Sequence, residues 1–524
     1  MMHTTRRMAA LLAIAAAPFV HSLVTSPALA DDFTDRLNRV NAEITSSRRS
    51  DQILLPVIAK MTPPPKSVST LQSAILLPPD RAGWTEAQAW ATAPTQSAFI
   101  EALARVTQEK DWKKAYGFGQ PYGIEGVEPA LVQAGLYTDL GDPPTLAGAR
   151  FLYIDGLDRA AILVQVEASR LTAEGRVSDA VDLLTNWIFF ARQMCDRQFF
   201  AEAEWGLRHM TVGLERIRDV VYVDSRTTKK LDTARLRGQI DRLKDQGEYL
   251  DLGRMKFPGG NRAAAEQLIA RLYKADGSPD AQQFAATMSR LGSTRHPLRL
   301  FSESGRWRQL AGAQARGDEA RSEATAVFSD WESRWNIPDR FDRHLSVATA
   351  YSRTDTARLA ALTAATPDMS RLMDFRDLAR VENAGTRSAL GVVGFAATSK
   401  NFPPSLTPIR PAWVMEVPDD IYNNTQRDRG GKPPLSYFVP VRDTADINGA
   451  GVPYEIEVFV VGSNFKVALK DDVFVLYSFG SDLAKGNARR VQNVPERVEG
   501  ADYLMWPPVI SLFRQHKLDA GDFK

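Results

Sequence analysis

Cysteine is nearly absent: the 524-residue chain has one, Cys195. No intrachain disulfide can form, so packing rather than cross-linking must hold the fold. The thiol ends the run Trp187-Ile188-Phe189-Phe190-Ala191-Arg192-Gln193-Met194, an apolar helical context that predicts a buried, inert group. Histidine is scarce too. Beyond residue 30 there are only His209, His296, His344 and His516, widely separated, with no His-Glu-x-x-His and no paired spacing for zinc. The chain has no Gly-x-Ser-x-Gly turn to present a nucleophile. Its glycine-rich stretch, Gly117–Gly126, lacks both the Lys-Ser/Thr ending of a phosphate loop and a preceding apolar strand, and reads as an ordinary loop. Net charge is small, with 65 basic against 63 acidic residues. Nucleic acid and anionic membrane are therefore not expected partners. After the N-terminus no apolar run is long enough to span a bilayer, so no transmembrane segment is expected there.

What is present begins with an export leader. Arg6 and Arg7 precede an apolar core from Met8 to Val20, and Ser26-Pro27-Ala28-Leu29-Ala30 ends in a small-x-small site before Asp31-Asp32. This pattern predicts a cleaved signal peptide over 1–30 and an exported chain, periplasmic or extracellular in a bacterium. Residues 31–366 read as a helical domain, with a break near 225–262 that allows two sub-bundles. A first helix is expected over Asp31–Lys60, stopped by Pro63-Pro64-Pro65. The strongest helical pattern runs from Leu146 to Val223. Further helices are expected at Ala263–Tyr273, Ala281–Leu291, Ala311–Trp335 and Asp342–Thr366, and Thr366-Pro367-Asp368 starts a long one over Met369–Ser399. The period then changes to two. Ser436–Arg442, Tyr454–Val461, Phe465–Lys470 and Val473–Phe479 alternate and are rich in β-branched and aromatic residues. The expected fold is mainly α with a small α+β C-terminal unit: a helical-hairpin bundle followed by a long helix packed on a short antiparallel sheet.

Two stretches carry a resemblance. Ala168, Leu171, Gly175, Ala180 and Leu184 fall where a tetratricopeptide-like helix pair places its packing residues, although Trp187 departs from that pattern and no second copy follows. Near the C-terminus come Asn401-Phe402-Pro403-Pro404-Ser405-Leu406, Val417-Pro418-Asp419-Asp420-Ile421-Tyr422, Gly431-Lys432-Pro433-Pro434-Leu435-Ser436-Tyr437 and Phe474-Val475-Leu476-Tyr477-Ser478-Phe479-Gly480-Ser481-Asp482. That order resembles the C-terminal half of the major pseudopilins of type II secretion. It implies a pseudopilin-like α+β unit over 367–524, with Asp419-Asp420 capping or ordering a turn. The membrane helix and methylation signal of true pseudopilins are not joined to it, so polymerisation into a pilus is not expected.

The resemblance also implies calcium. Many pseudopilins bind the ion in the loop after this last strand, and Asp482 matches the family's aspartate. The acids that normally follow are replaced by Lys485, Arg489 and Arg490. A second calcium candidate, read from spacing alone, is Asp446, Asn448 and Glu455 in Thr444-Ala445-Asp446-Ile447-Asn448-Gly449, although Asp-x-Asn-Gly is equally turn chemistry. No catalytic residue and no other cofactor is indicated. Glu202 and Glu204 stand two apart on a helix and so face different ways. The ten tryptophans are expected mainly in the core. The functional expectation is an exported non-enzymatic scaffold with protein partners at the cell envelope. The alternative is an extracytoplasmic hydrolase with dispersed catalytic residues, which a Ser–His pair or converging carboxylates in a pocket would favour.

Overall fold

The computed structural model describes residues 28–109, 111–245, 247–293, 300–425, 431, 433–493 and 498–522. The leader lies outside these residues but for its last three, and so do His296 and Lys432. Among the described residues no helix is long and apolar enough to cross a membrane.

The centre is helical. Helices α1 (Tyr153–Ala173) and α2 (Val177–Met194) form an antiparallel hairpin, and α3 (Phe200–Arg226) packs along α2. The α1–α2 turn falls at Glu174-Gly175-Arg176. Gly175 sits at φ +75°, the Arg176 N–H donates to the Leu171 carbonyl and the Gly175 N–H to that of Thr172. This closes the helix with both reciprocal bonds of a Schellman cap. The crossing of α2 with α3 is close because Gly206 has no side chain: a Cβ there would lie 2.7 Å from the Ala191 carbonyl oxygen. Helices Trp84–Ala91 and Pro94–Thr107 cover one side of this hairpin. A second group, Gly260–Leu272, Ala281–Ser293, Gly317–Trp335 and Ala360–Ala365, gathers around the first of its members.

Helix α4 (Ser370–Ser399) lies along α3 and carries the C-terminal sheet. The strands are β1 (Ser436–Phe438), β2 (Tyr454–Val460), β3 (Ser463–Leu469), β4 (Val475–Ser478), β5 (Arg490–Gln492) and β6 (Asp502–Trp506). Their order is β1-β4-β6-β5-β2-β3. The sheet is mixed rather than antiparallel, because β5 runs parallel to both β2 and β6. The expectation failed at β5 and β6, which lie in what read as loop and tail. All five residues of β6 are buried, so it shows no alternation to betray it. Met505 lies against Gly385 of α4, while the next residue, Trp506, stacks on Phe474 and meets Tyr222 of α3 edge-on. Helix α5 (Val509–Ala520) follows directly and packs on α3 and on the early helix Leu71–Leu76.

The expected division at 366/367 is crossed by a continuous core and by ion pairs. Helix α3 carries four consecutive-turn charges, Glu215, Arg216, Arg218 and Asp219, all buried. Arg218 donates to Glu382 (2.5 Å) and Thr386 (2.6 Å) of α4. Asp219 accepts from Arg514 (2.9 and 2.8 Å), from Ser511 and from Arg216. Glu215 accepts from Asn493 (2.8 Å) and from the Ile510 N–H at the start of α5 (3.0 Å), a carboxylate at the positive end of a helix. Burying an ion is costly unless its partners are complete. These contacts therefore fix how α4 and α5 sit on α3.

Candidate functional site

Helix α1 places Asp158, Ala161 and Ile162 on one face by its three-and-four spacing, and α3 presents His209 one turn beyond Trp205. With Ser69, Thr70 and Leu71 they line a cleft of about 360 Å³. Thr70 is the N-cap of Leu71–Leu76. The Ser73 N–H donates to Thr70 Oγ1, and the Thr70 N–H donates to Ser73 Oγ, each at 3.1 Å. This reciprocal cap stiffens the rim that carries Ser69.

Within the cleft one carboxylate is held from inside. Asp158 Oδ1 accepts from the Trp205 indole N–H at 2.8 Å and lies 3.6 Å from His209 Nε2, a contact longer than a hydrogen bond. Half of the Asp158 side chain is exposed. Its pKa is lowered: burial acts against ionisation, but the His209 and Trp205 contacts outweigh it. His209 is 7 % exposed and packs between two indoles, 4.0 Å from the Trp205 ring and edge-on to Trp187 at 5.6 Å. Burial lowers its pKa, with Asp158 opposing, so the imidazole is neutral at pH 7. Its Nδ1 is buried and has no hydrogen-bond partner among the described residues. A general base must reach the proton it abstracts. Here the nitrogen facing the cleft's acid is Nε2, and the other is sealed in the core.

A larger buried polar cluster serves structure. Glu202 accepts from Tyr122 (2.8 Å), Tyr153, Arg197 Nε (2.7 Å) and the Phe199 N–H (3.2 Å). Arg197 also donates to Asn41 (3.0 Å) and lies over the Tyr122 ring. Glu202 and Glu204 diverge as expected, for Glu204 turns outward to Arg208. Burial pushes the Cys195 thiol up to about 12, far from a reactive thiolate. Trp84, Trp90, Trp331 and Trp335 are core residues, whereas Trp112 is 46 % exposed beneath the Arg254 guanidinium.

The calcium candidates do not assemble. Asp482 accepts from the N–H groups of Ala484 (3.0 Å) and Gly500 (3.1 Å), as a loop organiser does. Asp446 is exposed on the short helix Ala445–Asn448. Asn448 accepts from Arg489, and Glu455 pairs with Lys466 at 2.8 Å. Arg489 also donates to the Glu455 carbonyl (3.2 Å) and covers the Tyr454 ring. A guanidinium thus stands between Asn448 and Glu455, where a dication would need six to eight oxygens. Among the described residues no three His, Cys, Asp or Glu side chains converge as a metal set.

Two other carboxylates order this region. Asp420 accepts from Ser478 (2.7 Å), Tyr422 N (3.0 Å) and Phe479 N (3.2 Å), the turn role its loop implies, and burial pushes it up to about 6. Asp502 accepts from Ala488 N (2.6 Å) and Gly486 N (3.1 Å), and burial, with smaller contributions from Asp482 and Asp420, pushes it up to about 7. Asp158 and His209 lie 51 positions apart in the sequence with no motif between them, so only the folded helices bring them together. No family model, curated protein or solved structure matches this chain.

Proposed function

We propose that the chain is an exported, non-enzymatic interaction protein of the cell envelope, and that it holds a ligand in the Asp158–His209 cleft without transforming it. The observation that carries this reading is the orientation of His209. Its cleft-side nitrogen faces a carboxylate and its other nitrogen is sealed in the core, which suits fixing a charge and not relaying a proton. The leader pattern supports export. The long helix laid on a C-terminal sheet supports kinship with the pseudopilin C-terminal half, and the α1–α2 hairpin supports a single tetratricopeptide-like pair. The hydrolase reading keeps one specific support, the convergence of Ser69, Thr70, Asp158 and His209 on one cleft.

Two measurements test the proposal. Cell fractionation with N-terminal sequencing should find a mature chain beginning at Asp31 outside the cytoplasm; an intact leader on cytosolic protein would refute export. Purified protein assayed against chromogenic esters, peptides and glycosides should show no turnover. Turnover abolished by His209→Ala would establish the hydrolase instead.

A further inference from the structure

We propose that the cleft between α1, α3 and the Ser69–Leu71 turn is an amine site, receiving an alkyl ammonium group on the outer oxygen of Asp158. This rests on the reading that the cleft binds and does not transform. Of the seven residues lining the cleft, Asp158 is the only one ionised at neutral pH, since burial keeps His209 neutral. The nearest cations in sequence are turned elsewhere: Arg159 donates to the Met61 carbonyl at 2.9 Å, and Arg208 pairs with Glu204 at 2.9 Å. Among the described residues no lysine or arginine pairs with this carboxylate, whose one basic neighbour is the His209 imidazole at 3.6 Å.

Its orientation is set as well. Both inner neighbours, the Trp205 indole N–H and His209 Nε2, address Oδ1. Oδ2 receives no protein donor among the described residues, and the side chain is half exposed. A carboxylate fixed through one oxygen and open at the other is a preformed acceptor, since its rotamer is already ordered before a ligand arrives. An ammonium has three N–H donors and no acceptor. Oδ2 can take one, and the exposed residues Ser69 and Thr70, which line the same cleft, carry hydroxyl oxygens for the others. Thr70 Oγ1 accepts only one bond, from Ser73 N, and keeps a lone pair. Leu71, Ala161 and Ile162 supply the apolar wall for an alkyl stem. At about 360 Å³ the cleft is at the small end of ligand sites, which fits a short alkylamine or one lysine side chain.

The test is calorimetric titration of the whole purified protein, with Trp205 fluorescence as a second readout. The probes are n-butylammonium chloride, Nα-acetyl-lysine amide, its Nε-acetylated form, and n-butanol as the neutral isostere. The expected result is saturable binding of the ammonium probes, weakened by added salt, with at least a tenfold loss for n-butanol and for Nε-acetylation. Lysine amide binding more tightly than butylammonium identifies a polypeptide side chain as the source, and the reverse identifies a free amine; either supports the site. Asp158→Asn, which keeps an acceptor for the Trp205 indole, should lose at least tenfold while melting as the parent does. Should it fail to fold, Leu71→Trp, which fills the cleft without changing charge, must block binding instead. Equal affinity for butanol and butylammonium, no saturable amine binding, or amine binding unaffected by these variants would overturn the proposal. Butanol binding that Leu71→Trp abolishes would refute the amine and leave the binding reading standing. Turnover of an ester or amide lost in His209→Ala would refute that reading itself.

Discussion

Replacing Glu202 by Gln should cost about 3–5 kcal/mol, the usual consequence of leaving one member of a buried ion pair without its partner. The pair is sealed: the Arg197 and Glu202 side chains are 1 % and 0 % exposed. Glutamine keeps the shape and one acceptor but removes the charge that Arg197 requires. It also puts an amide N–H₂ against one of the tyrosine hydroxyls or the Phe199 N–H, which Glu202 now receives. The entropy of unfolding is about 2.1 cal/mol/K per residue, so a chain of 524 residues melting as one unit has roughly 1.1 kcal/mol/K. The midpoint should then fall by only about 3–5 °C, although the free energy lost is a large part of an ordinary stability. Differential scanning calorimetry gives the shift, and urea unfolding gives the energy directly. Arg197→Met should cost a similar amount, and the double variant should cost less than the sum of the singles, because the second substitution removes a charge already stranded. A Glu202→Gln midpoint within 1 °C of the parent, with an unchanged urea midpoint, would refute the view that this cluster anchors the start of α3.

Three further outcomes follow from particular contacts. Burial raises Asp502 to about 7 and Asp420 to about 6, so the folded chain holds protons that the unfolded chain has released. The contribution of these two groups to stability should decline as pH rises from about 4 through 7, and Asp502→Asn should flatten the dependence of the melting temperature on pH between 4 and 7; a steeper profile in the variant would contradict this. Gly206→Ala puts a methyl 2.7 Å from the Ala191 carbonyl oxygen and 2.8 Å from Cys195 N, backbone atoms that cannot step aside. It should cost about 1–3 kcal/mol or more, whereas Gly238→Ala, with nothing within 4 Å on an exposed helix, should gain about 0.4–1 kcal/mol in urea unfolding. Millimolar calcium should leave the melting temperature unchanged, because Arg489 occupies the ground between Asn448 and Glu455; a rise lost in Asn448→Ala would show that the guanidinium can be displaced.

Helical periodicity made much of this architecture readable in advance, and the places where it failed have local causes. The α1–α2 turn and the extent of α4 follow from glycine position and apolar spacing alone. The expected helix over 342–366 is instead three short pieces, Arg343–Ser346, Ala350–Arg353 and Ala360–Ala365. There Asp342, Thr349 and Asp355 accept from backbone N–H groups two or three residues on, competing with helix continuation. The first helix likewise stops at Ala42, where Thr45-Ser46-Ser47 interrupts it. The cleft was invisible for a different reason. Asp158 and His209 belong to different helices, and neither sits in a motif. Their pairing depends on how α1 and α3 each pack against α2, where Gly206 meets the Ala191 carbonyl and Trp187 meets Trp205 and His209, contacts that no linear pattern encodes.

The bond from Arg514 to the Ile75 carbonyl spans 439 positions. Its consequence is temporal. During synthesis α3 emerges long before α5, yet Asp219 gains Ser511 and Arg514, and Glu215 the Ile510 N–H, only when α5 arrives. Until α5 has emerged, Asp219 keeps Arg216 of its own helix but lacks the donors that complete it on a face meant to be dry. Contacts so distant in sequence form late and slowly. Completion of the native state is therefore tied to the arrival of residues 509–520, and loss of that helix would be felt first at the centre of the molecule.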